Sequence, residues 1–434
     1  MSGGGAPLRE VVREAELAAA EAGAPVAGEA TGVRFAALEV SQFRTYWLAS
    51  AVSITGDGME NVIRNWLVWE LTHSPLWLGM MVFAHWVPFT FFSLYGGVLA
   101  DRYDNRKVQL VAQALLMAAG MGVAIVTLAG WVNEWWIFAL LLLHGFAGAI
   151  GNPAQQTLIN DLVGRDRLLS AISLNSSMRQ VTQVIGPLIA GWFLIVLGAG
   201  WGFFANALTF VPLLIVLTFL RPTHRAPRER LTLGTGESLR EGFAFLRTNP
   251  TIAALIVLEM VPVVFLGHAL SSLTPAIATD VLHVGEEGYV VLLAGSGVGA
   301  LVAAVWLAYA RIRRRGLVIV AAALAEAICI LLFSLSTSYA ASFALLLAVG
   351  GTDVITQSLT NTTIQLAAPD ALRGRVMGAY SFGTQGVRVL NGPILGGAAQ
   401  LLASVPLAIG AASVAVVGLL AAVAALVPSL RKLE

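Results

Sequence analysis

Eight acidic or basic side chains stand deep inside stretches of this chain that are otherwise apolar: Asp57, Glu60, Arg64, Arg179, Glu259, Glu326, Asp353 and Arg388. A charge at the middle of a bilayer is costly unless paired or hydrated, so each is a functional candidate. Asp57, Glu60 and Arg64 follow one another at i, i+3 and i+7, on one helical face, and Glu60 before Arg64 is the favourable order for an i, i+4 pair. Either the three make a static bridge, or Arg64 holds Glu60 ionised while Asp57 exchanges a proton. Burial favours a neutral carboxyl and a nearby cation favours the ionised one, so a small rearrangement could move such a group across neutral pH. Gly56 and Gly58 weaken the helix there and could let it bend.

Asn175, Arg179 and Gln183 recur every four residues, a polar stripe that must line a cavity or the seam between two halves. It either binds an anionic or polar substrate group or supplies a counter-ion to Asp57 or Glu60. Gln385, Arg388 and Asn391 form a second stripe. Glu259 and Asp353 fall at similar depth, where they could share a proton or oppose Arg388, and Glu326 is expected to be structural. His85, Trp86, Pro88 and His268 either line the same cavity or are packed polar residues.

Other chemistry is not encoded. One cysteine, Cys329, excludes a disulfide framework and a thiolate metal cluster, and the six histidines have no metal-ligand spacing. Gly295-Ser296-Gly297-Val298-Gly299 has no preceding strand, so close helix packing explains it better than a nucleotide loop. Without a catalytic set the chain is read as a non-enzyme with no cofactor and no metal. A net charge of +1 with no separate basic domain excludes a nucleic-acid partner.

The elements that hold these residues follow from composition. Of 434 residues 57% are hydrophobic and 12% charged, half the charged share of a soluble protein. Twelve apolar stretches are long enough to cross a bilayer, near 44–70, 76–100, 108–130, 135–152, 170–198, 203–220, 251–279, 289–309, 317–336, 340–366, 376–403 and 406–427. In lipid only helices satisfy the backbone of such segments, so the class is an all-α membrane protein. Counting from Tyr46, Asp57 lies roughly 16 Å into its helix, near the midplane. Of 26 Lys and Arg, 23 fall on alternate connections of one side, which makes both termini and the 221–250 connector cytoplasmic. Two lysines against 24 arginines, with abundant Ala and Gly, suggest a bacterial plasma (inner) membrane.

The longest connector leaves six spans on either side. The expected division is a disordered leader (1–40), an N-terminal bundle (41–220), the connector, a C-terminal bundle (251–428) and a short tail (429–434). Ser238 and Glu241 have capping-box spacing and Leu239, Phe243 and Leu246 share a face, which predicts an amphipathic helix on the membrane surface. A repeat supports two halves: Ala171-Ile172-Ser173 with Gly186-Pro187 recurs as Ala379-Tyr380-Ser381 with Gly392-Pro393. Repeats of this size point to a transporter whose halves rock about a central site.

The stretch Gly97-Val98-Leu99-Ala100-Asp101-Arg102-Tyr103-Asp104-Asn105-Arg106-Lys107 resembles the loop signature of the major facilitator superfamily. Asp104 and Asn105 depart from its usual Gly and Arg. Together with Asn152-Pro153-Ala154 and the 239–250 segment, they resemble the enterobactin-exporter and macrolide-efflux branch. The resemblance implies two pseudo-symmetric six-helix bundles. It also implies that Gly97 lets helices approach closely, that Asp101 and Arg102 latch the halves in the outward-open state, and that Arg106 and Lys107 complete the motif's basic end. Gly186-Pro187 is similar to the signature of exporters. The expected function is proton-coupled export of a small amphipathic molecule of the drug, macrolide or siderophore class, by a monomer working through alternating access in a lipid bilayer. A lipid or lysolipid translocase, a proton-coupled importer and a non-transporting receptor or assembly partner are the alternatives.

Overall fold

The computed structural model describes residues 35–221, 244–310, 312–368 and 373–432. Fourteen helices account for almost all of these residues, and no strand occurs among them. The first six are α1 (Ser41–Thr72), α2 (Pro75–Arg102), α3 (Asn105–Leu128), α4 (Glu134–Val163), α5 (Leu168–Val196) and α6 (Ala199–Phe219). The remainder are α7 (Pro250–Phe265), α8 (Gly267–Asp280), α9 (Glu286–Tyr309), α10 (Arg315–Leu335), α11 (Tyr339–Ala367), α12 (Arg373–Ser381), α13 (Arg388–Leu401) and α14 (Val405–Leu426). They make twelve spans, because α7 and α8 share one, broken at Leu266, and α12 and α13 share another, joined by a π-helical turn at Phe382–Gly386. Ten spans are apolar enough to be recognised by composition. The two that are not, α1 and the α12–α13 pair, hold Asp57, Glu60 and Arg64 and the Gln385–Arg388–Asn391 stripe.

Local chemistry sets the helix ends. Asp104, Asn133 and Ser404 accept backbone N–H bonds as N-caps of α3, α4 and α14. Gly164 and Gly198, at φ of 71° and 84°, make the turns that a side chain would strain. The fourth span runs on to Val163, well past its apolar stretch, with Gln155 to Asp161 still helical.

Packing divides the spans into two lobes of matching design. In the N-lobe α2 packs on α4, α3 on α4 and α6, and α1 on α5 and α6. In the C-lobe α9 packs on α11, α10 on α11 and α14, and α13 on α14. The lobes meet through two related pairs, α2 with α13 and α5 with α9. Small residues allow this approach: a Cβ on Gly392 would collide with the backbone of Gly79, and one on Gly297 would stand 2.6 Å from the carbonyl oxygen of Gln183. Gly299 likewise meets the backbone of Leu347 on α11, so the glycine run is a packing device.

The lobes close at one end. Call the face where α1 begins the terminal face and its opposite the distal face. Trp69 Nε1 donates to Thr279 at 2.9 Å, Ser74 to Gln400 at 3.0 Å, and Tyr289 to the Val62 carbonyl at 3.3 Å, all between lobes and toward the distal face. The distal half-helices α8 and α13 pack on the opposite lobe, whereas α7 and α12, nearer the terminal face, pack chiefly within their own. A cleft therefore widens toward the terminal face.

One segment differs from expectation, and another lies mostly outside the described residues. Ala36–Glu39, assigned to a disordered leader, form a 3-10 turn with Ala37 buried and its N–H bonded to Ser170. Residues 1–34 and 222–243, including Ser238, Leu239, Glu241 and Phe243, lie outside the described residues. Residues 244–248 are helical, with Phe245 and Leu246 packed against the C-lobe core.

Candidate functional site

The N-lobe charges are built around α1. Arg64 Nη1 reaches Glu60 Oε1 at 3.3 Å, the i, i+4 pair its spacing anticipated, and both residues are buried. Asn206 on α6 donates to the other oxygen, Oε2. The pair borders a narrow seam against α3 and α4, shared with His144 and too tight to admit water. Arg64 Nε and His144 Nδ1 are buried there without a hydrogen-bond partner.

Asp57 is placed differently. It is half-buried at the middle of α1, and its Oδ1 is buried with no hydrogen-bond partner. Arg64 and Arg179 are within electrostatic reach of it. Arg179 and Gln183 are exposed and Asn175 half-buried, so the α5 stripe faces the cleft beside Asp57. The helix runs without a break through the flanking glycines. Gly56 admits Asn206 and Thr209 of α6, and Gly58 lies against Gly186 of α5, so the residues expected to loosen α1 instead bring its neighbours close.

The C-lobe gathers carboxylates. Glu259 on α7 is buried, and the single O–H of Tyr380 on α12 donates to its carboxylate, with Oη 2.9 and 2.8 Å from the two oxygens. Asp353 on α11 and Glu326 on α10 interact electrostatically with it, and Arg388 opposes Asp353. Glu326, expected to be structural, lies within electrostatic reach of both other carboxylates. Burying like charges together is unfavourable, which a static scaffold would avoid.

At the waist Arg388 crosses toward the N-lobe. Its Nε donates to the Thr384 carbonyl at 3.2 Å, and its guanidinium stands 5.0 Å from the centre of the Trp86 ring on α2. His85 and Pro88 pack the other way: a Cβ on Gly145 of α4 would collide with the His85 carbonyl and stand 3.1 Å from Pro88. His85, with its ring 5.5 Å from that of His144, lies within the N-lobe, and Trp86 is the residue of this turn at the lobe seam. Gln385 is exposed in the π-turn. Asn391 bonds the Val263 and Val264 carbonyls at 3.0 and 3.2 Å, acceptors released by the break between α7 and α8. The side chain of His268 is not described.

Among the loop residues, a Cβ on Gly97 would meet nothing within 4 Å, and Arg102 is exposed. Arg106 donates to the Leu220 carbonyl at 2.8 Å, and Asn105 to Asp161 at 3.4 Å. The Asp101 side chain is not described. Of the two repeat motifs, Gly186 with Pro187 serves the α1–α5 contact inside the N-lobe, and Gly392 with Pro393 lies in the α2–α13 contact between lobes. Sequence reasoning missed Asn206 and Tyr380. Asn206 lacked any charged neighbour in its own span; Tyr380 was visible only as part of the repeat.

Two helical lobes related by their packing, joined by α2–α13 and α5–α9 around a cleft with intramembrane charges, define a transporter of the major facilitator type. Solved structures agree on the fold. The nucleoside transporter NupG matches with a TM-score of 0.67 and 13% identity, covering 91% of this chain and 100% of that one. A D-xylose-proton symporter matches at 0.68 and 15%, covering 87% and 97%. The family described as transmembrane secretion effector matches residues 32–434, and the chain belongs to it. The enterobactin exporter EntS of Shigella boydii serotype 18 is 28% identical over 368 residues, 84% of this chain and 86% of that protein. EntS of Escherichia coli O139:H28 gives the same identity and coverage. The protein is thus a multi-pass membrane transporter of small molecules and not an enzyme.

Proposed function

We propose that this protein exports a small amphipathic organic molecule of the siderophore or drug class, driven by inward proton flow and working by alternating access. Asp57 carries the reading. An ionised carboxylate oxygen buried without a donor is costly, and this one stands beside a cleft-facing arginine. Proton uptake turns Asp57 into a neutral acid and frees Arg179 to hold an anionic or polar group of the substrate. Proton release reverses the exchange. Glu60 and Arg64 form a fixed ion pair behind Asp57, and Glu259 and Asp353 form the second proton site. Asn175, Gln183, Gln385, Arg388 and Trp86 line the route. The relatives named as enterobactin exporters support the direction and the siderophore class.

The arginine bias supports termini, connector and tail on the cytoplasmic side of a bacterial inner membrane, with the cleft here open to the cytoplasm. Asp101 and Arg102 latch the terminal face in the opposite state. The test is flux of enterobactin through proteoliposomes of the full chain under an imposed pH gradient. Asp57→Asn is expected to fold normally and to lose gradient-driven flux to the level of empty vesicles. Flux in that variant with unchanged gradient dependence removes Asp57 from the mechanism. Transport of labelled lysolipid, uncontested by enterobactin or a macrolide, replaces the export reading with lipid translocation.

A further inference from the structure

The connection between α9 and α10, at the terminal face of the C-lobe, reads Ala310-Arg311-Ile312-Arg313-Arg314-Arg315-Gly316. Arg313 and Arg314 are exposed and Arg315 is half-buried. Arg313, Arg314 and Arg315 form no ion pair with a described carboxylate. The N-lobe counterpart is arranged otherwise: Asp101 and Asp104 lie within it, and Arg106 is bonded to the Leu220 carbonyl.

An open pocket of about 580 Å³ adjoins the arginines. Arg313 and Arg315 line one side, Ser358 and Thr362 of α11 another, and Leu307 and Ile312 give an apolar wall. Two guanidinium forks and a hydroxyl suit the oxygens of a phosphate. Trp306 and Tyr309, both exposed, sit on the last turn of α9 beside it, the residue types that favour headgroup depth. A free phosphate would use the arginines and leave the apolar wall bare, whereas a phospholipid uses both.

We propose that this pocket binds the phosphate headgroup of an anionic glycerophospholipid from the adjoining leaflet, with the start of an acyl chain along Leu307 and Ile312. The bound lipid bridges α9, which contacts the N-lobe through α5, to α11, which carries Asp353. Its occupancy would therefore bear on the contact between the lobes.

The test uses the purified, delipidated full chain titrated with phosphatidylglycerol, phosphatidylcholine or inorganic phosphate, with bound molecules counted by native mass spectrometry. One phosphatidylglycerol is expected to survive activation that strips phosphatidylcholine. The double variant Arg313→Gln, Arg315→Gln should weaken its retention by at least about tenfold, while Arg44→Gln, Arg167→Gln, removing equal charge from the same face, should not. If the glutamine pair fails to fold, Arg313→Lys, Arg315→Lys keeps the charge but loses the fork, and it should also weaken retention. Equal retention of the two lipids, equal loss in the control pair, or displacement of phosphatidylglycerol by inorganic phosphate alone would each overturn the proposal, the last by making this a soluble-anion site.

Discussion

In the N-lobe, Glu60 and Arg64 close an ion pair within one continuous helix, and Asn206 occupies the second carboxylate oxygen. In the C-lobe, Glu259, Glu326 and Asp353 stand on three different helices; Tyr380 bonds Glu259, Arg388 faces Asp353, and Glu259, Tyr380 and Arg388 belong to the two interrupted spans. A buried pair whose carboxylate is bonded at both oxygens is costly to disturb and unsuited to cycling. Carboxylates spread over separate helices, one of them interrupted, can change partners when those helices shift. The contrast assigns rigidity to the N-lobe pair and adaptability to the C-lobe cluster, and Asp57 stands outside the N-lobe pair.

The largest expected effect breaks the rigid side. Arg64→Leu leaves Glu60 charged and unpaired in a dry seam, and should cost about 3–5 kcal/mol, read as a lowered Tm in detergent. Adding Glu60→Leu should recover most of that loss. A single variant as stable as the parent would show that the pair is not the rigid element.

Next, Gly392→Val should prevent α13 from meeting α2, because a Cβ there collides with the Gly79 backbone. Distal closure is then lost, and a cysteine placed by Ser74→Cys should react faster with a membrane-impermeant maleimide than in the parent. Gly418→Ala, where a Cβ meets nothing within 4 Å, serves as the control and should leave labelling unchanged.

On the adaptable side, Tyr380→Phe removes the donor to Glu259 while keeping the ring. A loss of about 1–2 kcal/mol in stability is expected, with a displaced pH profile of flux. A lowered Tm with an unaltered pH profile would reduce Tyr380 to a structural role.

The smallest effect concerns the distal gate, where Glu70 of the N-lobe lies within electrostatic reach of Glu286, itself beside Glu287. Glu286→Gln relieves repulsion across the closed seam. It should favour closure by a few tenths of a kcal/mol, the scale of exposed charge pairs, seen as slower labelling at Ser74→Cys and reduced by salt.

Much of the fold was legible because a bilayer imposes length and apolarity on each span. The Glu60–Arg64 bond was legible too, since i, i+4 spacing fixes proximity within a helix. The roles of Gly56 and Gly58 were not, because a glycine reads alike in sequence whether it bends a helix or admits a neighbour. Glu326 looked isolated, since its partners lie on other helices. His85 and Trp86 are adjacent, yet one faces α4 and the other the lobe seam, which depends on a helix rotation that residue types leave open.

The sequence by itself determined that twelve helices cross a membrane, that they repeat in two halves, and that charges lie within them; hydrophobic length, periodicity and the cost of a buried charge act locally along the chain. Tertiary structure alone decided which charges meet, which lobe holds its pair fast, and at which face the cleft is closed. Those outcomes depend on contacts such as Asn206 with Glu60, Tyr380 with Glu259 and Gly79 with Gly392, made between helices far apart in the chain and set by how their surfaces fit.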